Sequence, residues 1–321
     1  MTTKVYLVCF YSRALSRLFL NRFLKRDTAF LLHKNKFSME TIVFDNQYFN
    51  IKDTLDCGQI FRYTPFDKGY LVFSCDKCAY CYTEKSKTII QVEDGDKSYF
   101  LNYFDLEKDY SKIVEKAISS GVSALVKSAK LAKGVRILKQ DAEEMLFSFM
   151  ISQNNNIPRI KNSIDKLCTL LGDKKEFLGV EYHAFPTAEK MAEQTLEFYK
   201  SIGLGYRAEY VKNLAQKIAQ GYVVSSLEKL STKELKNQLV SIHGVGPKVA
   251  DCVSLFGFNR TDSFPVDTWI EKVYVQDFKG NQKDRKKIAD ELSLKFGENA
   301  GFFQQYLFYY KRSLEGAEAK K

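Results

Sequence analysis

The chain has 321 residues, 45% of them apolar and 14% aromatic, enough to bury one large core or two ordinary ones. Its most apolar stretches, such as LVKSAKLA and DCVSLFGF, are short and broken by charge or turn residues, which excludes a membrane-spanning helix. The formal charge of +10 suits a nucleic-acid partner, but eight basic residues against Asp27 alone fall within residues 1–38, so the case for such a partner has to rest on local motifs.

Residues 1–38 carry an apolar stripe through Leu15, Leu18, Phe19 and Phe23 on an Arg-rich background. Two readings fit this extension: an organelle-targeting peptide, or sequence translated from upstream of the true start. The self-contained pattern that opens at Met39 favours the second.

From Thr41 to about Leu101, β-branched and aromatic residues alternate with polar ones in the runs TIVF, YFNI, IFRYTPF, GYLVFS and TIIQV, which predicts an antiparallel sheet. Cys75, Cys78 and Cys81 fall inside it at metal-ligand spacing. On a continuous strand, however, Cys78 faces away from the other two, and the three histidines, His33, His183 and His243, offer no adjacent fourth ligand. We expect no metal there. Seven cysteines in a chain of this size suit a reducing compartment.

Near Leu106 the period changes, and IVEKAISS, VSALVKSAKLA and everything beyond carry helical spacing. Asp141 with Glu144, and Ser231 with Glu234, have the form of capping boxes. The predicted architecture is α+β: an antiparallel sheet domain over 39–138, then a larger all-helical domain over 139–321.

Residues 231–258 read as a helix, the turn HGVGP and a second helix. Gly244 and Gly246 permit a tight turn with close backbone approach, and amides at the second helix's N-terminus suit a DNA phosphate. This is a helix-hairpin-helix pattern, though an ordinary αα-hairpin can carry the same glycines. Lys248 opens the second helix, where the positive end of the dipole disfavours an ammonium and so favours the neutral amine that Schiff-base chemistry needs. Asp267 follows the extended run SFPV and precedes the helical TWIEKVYV. Taken singly, Lys248 reads as a surface charge and Asp267 as a helix N-cap.

Together, HGVGPKVADCV and FPVDTW resemble the helix-hairpin-helix superfamily of DNA glycosylases, in the branch with both a catalytic lysine and an aspartate. No cysteine follows Cys252, so the four-cysteine iron–sulfur cluster of the endonuclease-III-like branch is absent. The segments CGQIFRY (57–63), GVRILKQDAEEMLFSFMISQNNNIPRI (134–160) and LGYRAEYV (204–211) narrow the resemblance to the 8-oxoguanine DNA glycosylase/AP lyase family, from about Phe49 to Phe308.

The resemblance implies roles. Lys248 would be the nucleophile, and Asp267 would stabilise positive charge on the sugar and assist lysine activation. Cys252 would lie beside the base pocket, and Gly58 would offer its carbonyl to the N7 hydrogen of the oxidised purine. Gln304 and Phe308 would bind the base edge and stack on the ring. Asn154, Arg159 and Arg207 would hold the orphaned cytosine, and Tyr206 would wedge into the gap. His243, Gly244, Val245 and Gly246 would form the phosphate-binding turn. Physical chemistry supports each role, since guanidinium forks match cytosine acceptors and an aromatic can replace a lost stacking partner. The bland alternatives are solvated arginines and, in the aromatic-dense FFQQYLFYY, a core phenylalanine.

Two departures stand out: Trp269 occupies a position where animal members carry histidine, and residues 1–38 have no family counterpart. The implied partner is double-stranded DNA containing an oxidised purine, acted on by a monomer with no required cofactor. A monovalent cation at the hairpin is compatible with this. The expected location is cytoplasmic in a bacterium, and nuclear or organellar in a eukaryote. Lys248 argues against a lysine-free alkylation-repair glycosylase, and the pairing of Lys248 with Asp267 argues against a silent DNA-binding module.

Overall fold

The computed structural model describes residues 38–318, so the expectation for the basic extension lies almost wholly outside the described residues. The sheet runs β1 (Met39–Asp45), β2 (Tyr63–Phe66), β3 (Gly69–Ser74), β4 (Lys77–Glu84) and β5 (Lys87–Glu93), with α1 (Ile51–Asp56) between β1 and β2. All neighbours are antiparallel in the order β1-β5-β4-β3-β2. Alternation sends Val72, Ala79, Cys81, Ile90 and Val92 to one face, where they pack on Phe49, Phe100 and Phe104. Leu71, Cys78 and Tyr80 take the other face. Cys78 and Cys81 therefore point to opposite sides of the sheet, and Cys75 sits in the β3–β4 turn with φ +51°.

The helices follow as α2 (Lys97–Tyr103), α3 (Tyr110–Ser119), α4 (Ser123–Leu131), α5 (Ala142–Ser152) and α6 (Ile157–Leu171). An antiparallel hairpin then interrupts them: β6 (Lys174–Phe177) and β7 (Val180–His183). The expectation that everything beyond Leu106 is helical is thus corrected. Leu178 and Gly179, with φ of +51° and +76°, form the two-residue turn that favours such hairpins. Phe177 and Tyr182 cover the outer face of the sheet, and Tyr182 stacks on Phe73 with ring centroids 5.2 Å apart. The chain continues as α7 (Ala188–Ala192), α8 (Leu196–Ser201), α9 (Arg207–Ala219), α10 (Thr232–Val240), α11 (Pro247–Phe256), α12 (Thr268–Gln276), α13 (Arg285–Phe296) and α14 (Ala300–Glu318). Among the described residues no helix is long and apolar enough to cross a membrane.

The cores divide differently from a boundary at 138/139. Tyr110, Ile113, Leu125, Val135 and Ile137 belong to the helical core together with Cys57 and Phe61, whereas Leu138 joins the sheet core. Helices α3 and α4 thus belong in space to the helical body, and α4 packs on α14. The two capping boxes also part company. Ser231 and Glu234 form the reciprocal pair. Asp141 accepts from the Glu144 amide at 2.8 Å, but the Glu144 carboxylate turns inward to Arg62 at 3.1 Å and the Cys75 amide at 2.7 Å. A buried guanidinium outcompetes a backbone amide for that carboxylate.

Candidate active site

Where the loop between α1 and β2 meets the helical body lies a cavity of about 800 Å³ whose walls include Gly58, Phe149, Lys248, Asp267, Trp269 and Phe308. The hairpin 241–246 brings one wall into place. Gly244 has φ +89°, and a Cβ there would sit 2.4 Å from Cγ of Tyr210, so both backbone and packing demand glycine. Gly246 differs, because a Cβ built on it meets nothing within 4 Å. The fold alone does not require that glycine, and the backbone at the start of α11 stays open to an approaching ligand. Val245 is buried, and His243 packs edge-on against Tyr210 at 4.9 Å.

Pro247 is the first residue of α11 and Lys248 the second, so the lysine side chain leaves the first turn at the cavity wall, its Nζ 5.7 Å from the Phe149 ring centroid. Cys252 lies one turn further on and is buried. Burial pushes its thiol up to about 11, against the opposing pull of the Lys248 charge, which leaves it an unreactive neighbour of the amine. Asp267 caps α12, its Oδ1 accepting from the amides of Trp269 at 3.0 Å and Ile270 at 2.9 Å. Burial raises its carboxyl above the usual aspartate range, while the Ile270 amide bond, Lys248, the Trp269 amide bond and Arg285 act in the opposite sense. The aspartate is thus an N-cap and a cavity residue at once.

Opposite the lysine, Gly58 takes φ +80° and lies under Phe308, whose Cε1 would be 3.2 Å from a Cβ at that position. Gln304 is not among the residues on the cavity wall. It is buried, donates from Nε2 to the Pro265 carbonyl at 3.1 Å and accepts from Gln305 at 2.9 Å, so its amide ties α14 to the segment that precedes Asp267.

Asn154 and Tyr206 line the far rim of the cavity. Asn154 has φ +45°, Asn156 caps α6 by accepting from the Arg159 amide at 3.0 Å, and Gln153 donates to the Gly244 carbonyl at 2.8 Å, tying this loop to the hairpin. Tyr206 is 53% exposed, and its hydroxyl donates to the Gln153 carbonyl at 3.3 Å. Arg159 is exposed and makes no side-chain hydrogen bond among the described residues. Arg207 corrects the expectation of a free donor fork. Only 5% exposed, it donates to the carbonyls of Gln153 at 2.6 Å, Asn154 at 2.7 Å and Leu204 at 3.3 Å. Loop carbonyls left without amide partners take up the guanidinium, so in this structure Arg207 shapes the Asn154 loop. Sequence reasoning passed over Arg285 and Arg312, both on the cavity wall. For Arg312 the available signal is its spacing of four from Phe308, which puts both on one face of a helix. Among the described residues no group of three or more His, Cys, Asp or Glu side chains could hold a metal.

A family model for the 8-oxoguanine DNA glycosylase N-terminal domain matches residues 41–146, and one for HhH-GPD superfamily base excision DNA repair proteins matches 147–298. The chain is 31% identical over 252 residues to an N-glycosylase/DNA lyase of Saccharomyces cerevisiae, covering 67% of this chain and 66% of that one. An N-glycosylase/DNA lyase of Arabidopsis thaliana is 33% identical over 192 residues, covering 56% and 53%. The chain thus spans roughly half to two-thirds of the length of these two relatives. The structure of Clostridium acetobutylicum 8-oxoguanine glycosylase/lyase, in complex with double-stranded DNA containing cytosine opposite 8-oxoguanine, aligns with a TM-score of 0.81. It is 35% identical and covers 87% of this chain and 99% of that one. With both of its domains matched and this similarity running through nearly the whole Clostridium chain, the protein belongs to the 8-oxoguanine DNA glycosylase family within the HhH-GPD superfamily.

Proposed function

We propose that the chain is a base-excision-repair N-glycosylase/DNA lyase that removes 8-oxoguanine from duplex DNA, preferentially opposite cytosine, and then nicks the strand. The observation that carries this is the grouping of Lys248, Asp267, Gly58 and Phe308 around one cavity. A flipped nucleotide would enter it, its unstacking cost of a few kcal/mol offset by Tyr206 in the gap and by contacts to the base. Lys248, reacting as its free amine, forms a bond to C1′ as the glycosidic bond breaks and its electron pair leaves with the base, which takes up a proton. The carboxylate of Asp267 offsets positive charge on the sugar as it develops. Loss of one of the amine's two protons, and opening of the sugar ring as its C1′–O bond breaks and the ring oxygen takes up a proton, give a protonated Schiff base. Removal of a C2′ proton then expels the 3′ phosphate by β-elimination, and water releases the lysine. Lysine supplies both nucleophile and electron sink, so the reading requires no redox or metal cofactor.

Borohydride trapping on duplexes carrying 8-oxoguanine opposite each of the four bases tests the reading. A covalent adduct and strand cleavage, highest opposite cytosine, are expected. Duplex binding with neither product would make the chain a DNA-binding module instead.

A further inference from the structure

We infer that Arg312 is a base-binding residue of the pocket, donating to the O6 carbonyl oxygen beside the N7–H of the extruded purine. This rests on the proposed function above and names a contact that the family resemblance leaves open.

Arg312 lies one helical turn beyond Phe308 on α14, so the two project from the same face. Its Nη1 donates to the Asp56 carbonyl at 2.9 Å, and the same atom would be 3.8 Å from a Cβ on Gly58. With Gly58 and Phe308 it lines the cavity. The side chain is half-buried, and its other donors have no partner among the described residues. A guanidinium pinned by one bond, with its remaining N–H groups facing a cavity, is a preorganised donor that loses little freedom on binding.

The chemistry of the purine decides what such a donor can read. Unmodified guanine presents two acceptors, N7 and O6, on this edge. Oxidation at C8 turns N7 into a donor flanked by two carbonyl oxygens. A carbonyl from Gly58 beside a donor from Arg312 complements an N–H beside a carbonyl. Guanine would set the Gly58 carbonyl against a lone pair and gain only the Arg312 bond. Binding energy at this edge is then shared between the backbone acceptor and the guanidinium.

Single-turnover kinetics of the full chain carrying Arg312→Met or Arg312→Lys test this, on duplexes holding 8-oxoguanine or a preformed abasic site opposite cytosine. Losing a charged donor to a buried acceptor should slow 8-oxoguanine excision by about ten- to hundredfold in Arg312→Met, with Arg312→Lys in between. Strand cleavage at the abasic site, where no base fills the pocket, should change by less than about threefold, which also shows that the variant folds. Equal slowing on both substrates, or slowing on neither, would overturn the inference and leave Arg312 a strut to Asp56. If the unsubstituted chain cleaved abasic sites but released no 8-oxoguanine, the proposed function itself would fail.

Discussion

Arg62 and Glu144 meet at 3.1 Å with side chains 7% and 5% exposed, joining the sheet domain to the helix that leads into the Asn154 loop. Arg62 also donates to the carbonyls of Cys75 at 3.2 Å and His183 at 2.7 Å, so one guanidinium fastens the β3–β4 turn and the β6–β7 hairpin to the helical body. Removing one partner of a buried pair strands the other, at about 3–5 kcal/mol. Arg62→Gln should therefore lower the melting temperature by roughly 10 °C, given about 2–4 °C per kcal/mol in chains near this size. Replacing both partners with methionine should cost less than Arg62→Gln alone, and calorimetry of the two proteins checks the order.

Lys248→Gln should abolish both base release and borohydride trapping while duplex affinity stays within about threefold, because in the proposed mechanism the amine supplies the covalent chemistry and little of the binding. Single-turnover excision and gel-shift titration of the same preparation separate the two effects. Release at the unsubstituted rate would remove Lys248 from the mechanism.

Asp267 couples stability and activity to pH in opposite directions. Its carboxyl is raised by burial, so the ionised form weakens the fold at neutral pH, and that cost is relieved as pH falls through the folded-state value. The proposed mechanism needs the carboxylate, so excision should decline over the same window, above the ordinary aspartate range. Asn also caps helices well, so Asp267→Asn should keep or raise thermal stability, cut the excision rate by about 10²–10⁴, and erase this acid limb. A pH–rate profile with an unchanged acid limb would assign the titration to another group.

The two hairpin glycines should respond differently to alanine. Gly244→Ala places a methyl against the Tyr210 ring and strains a φ of +89°, so it should destabilise the protein by more than about 1 kcal/mol. Gly246→Ala meets open space and should leave stability within about 0.5 kcal/mol while weakening duplex binding, since its methyl projects where a phosphate would approach. Denaturation curves read beside binding isotherms distinguish the two. Unchanged binding by Gly246→Ala would move the phosphate contact elsewhere.

Local motifs carried their meaning in sequence where one segment decides the outcome. The sheet strands alternate along their own length, Gly58 and Gly244 sit at φ values that glycine serves, and Lys248 and Asp267 occupy first-turn and cap positions set by neighbours a few residues away. Distant partners decided the rest. Glu144 has the form of a capping-box residue but meets Arg62 from 82 positions away. Gln304 is drawn to Pro265. The β6–β7 hairpin escaped because four-residue strands carry too little alternation to register against helical surroundings, although the Leu178-Gly179 turn was there to be read.

Arg159 and Arg207 should separate in their effects on the opposite base. Both were expected to hold an estranged cytosine, yet one is exposed and the other spends its donors on the carbonyls of Gln153, Asn154 and Leu204. Cytosine presents N3 and O2 as acceptors, whereas adenine sets an amine against a guanidinium and leaves charge poorly paired, at about 1–3 kcal/mol or ten- to hundredfold. Arg159→Ala should accordingly flatten the preference for cytosine over adenine more than it lowers excision opposite cytosine. Arg207→Ala removes the brace of the loop that presents Asn154, so it should slow excision opposite every base and raise protease sensitivity between residues 152 and 157. Excision rates opposite cytosine and adenine, measured beside limited proteolysis, check both. A cytosine preference unchanged in Arg159→Ala would place that side chain on the phosphate backbone, where its loss weakens binding whatever the sequence and reduces the salt slope by about one.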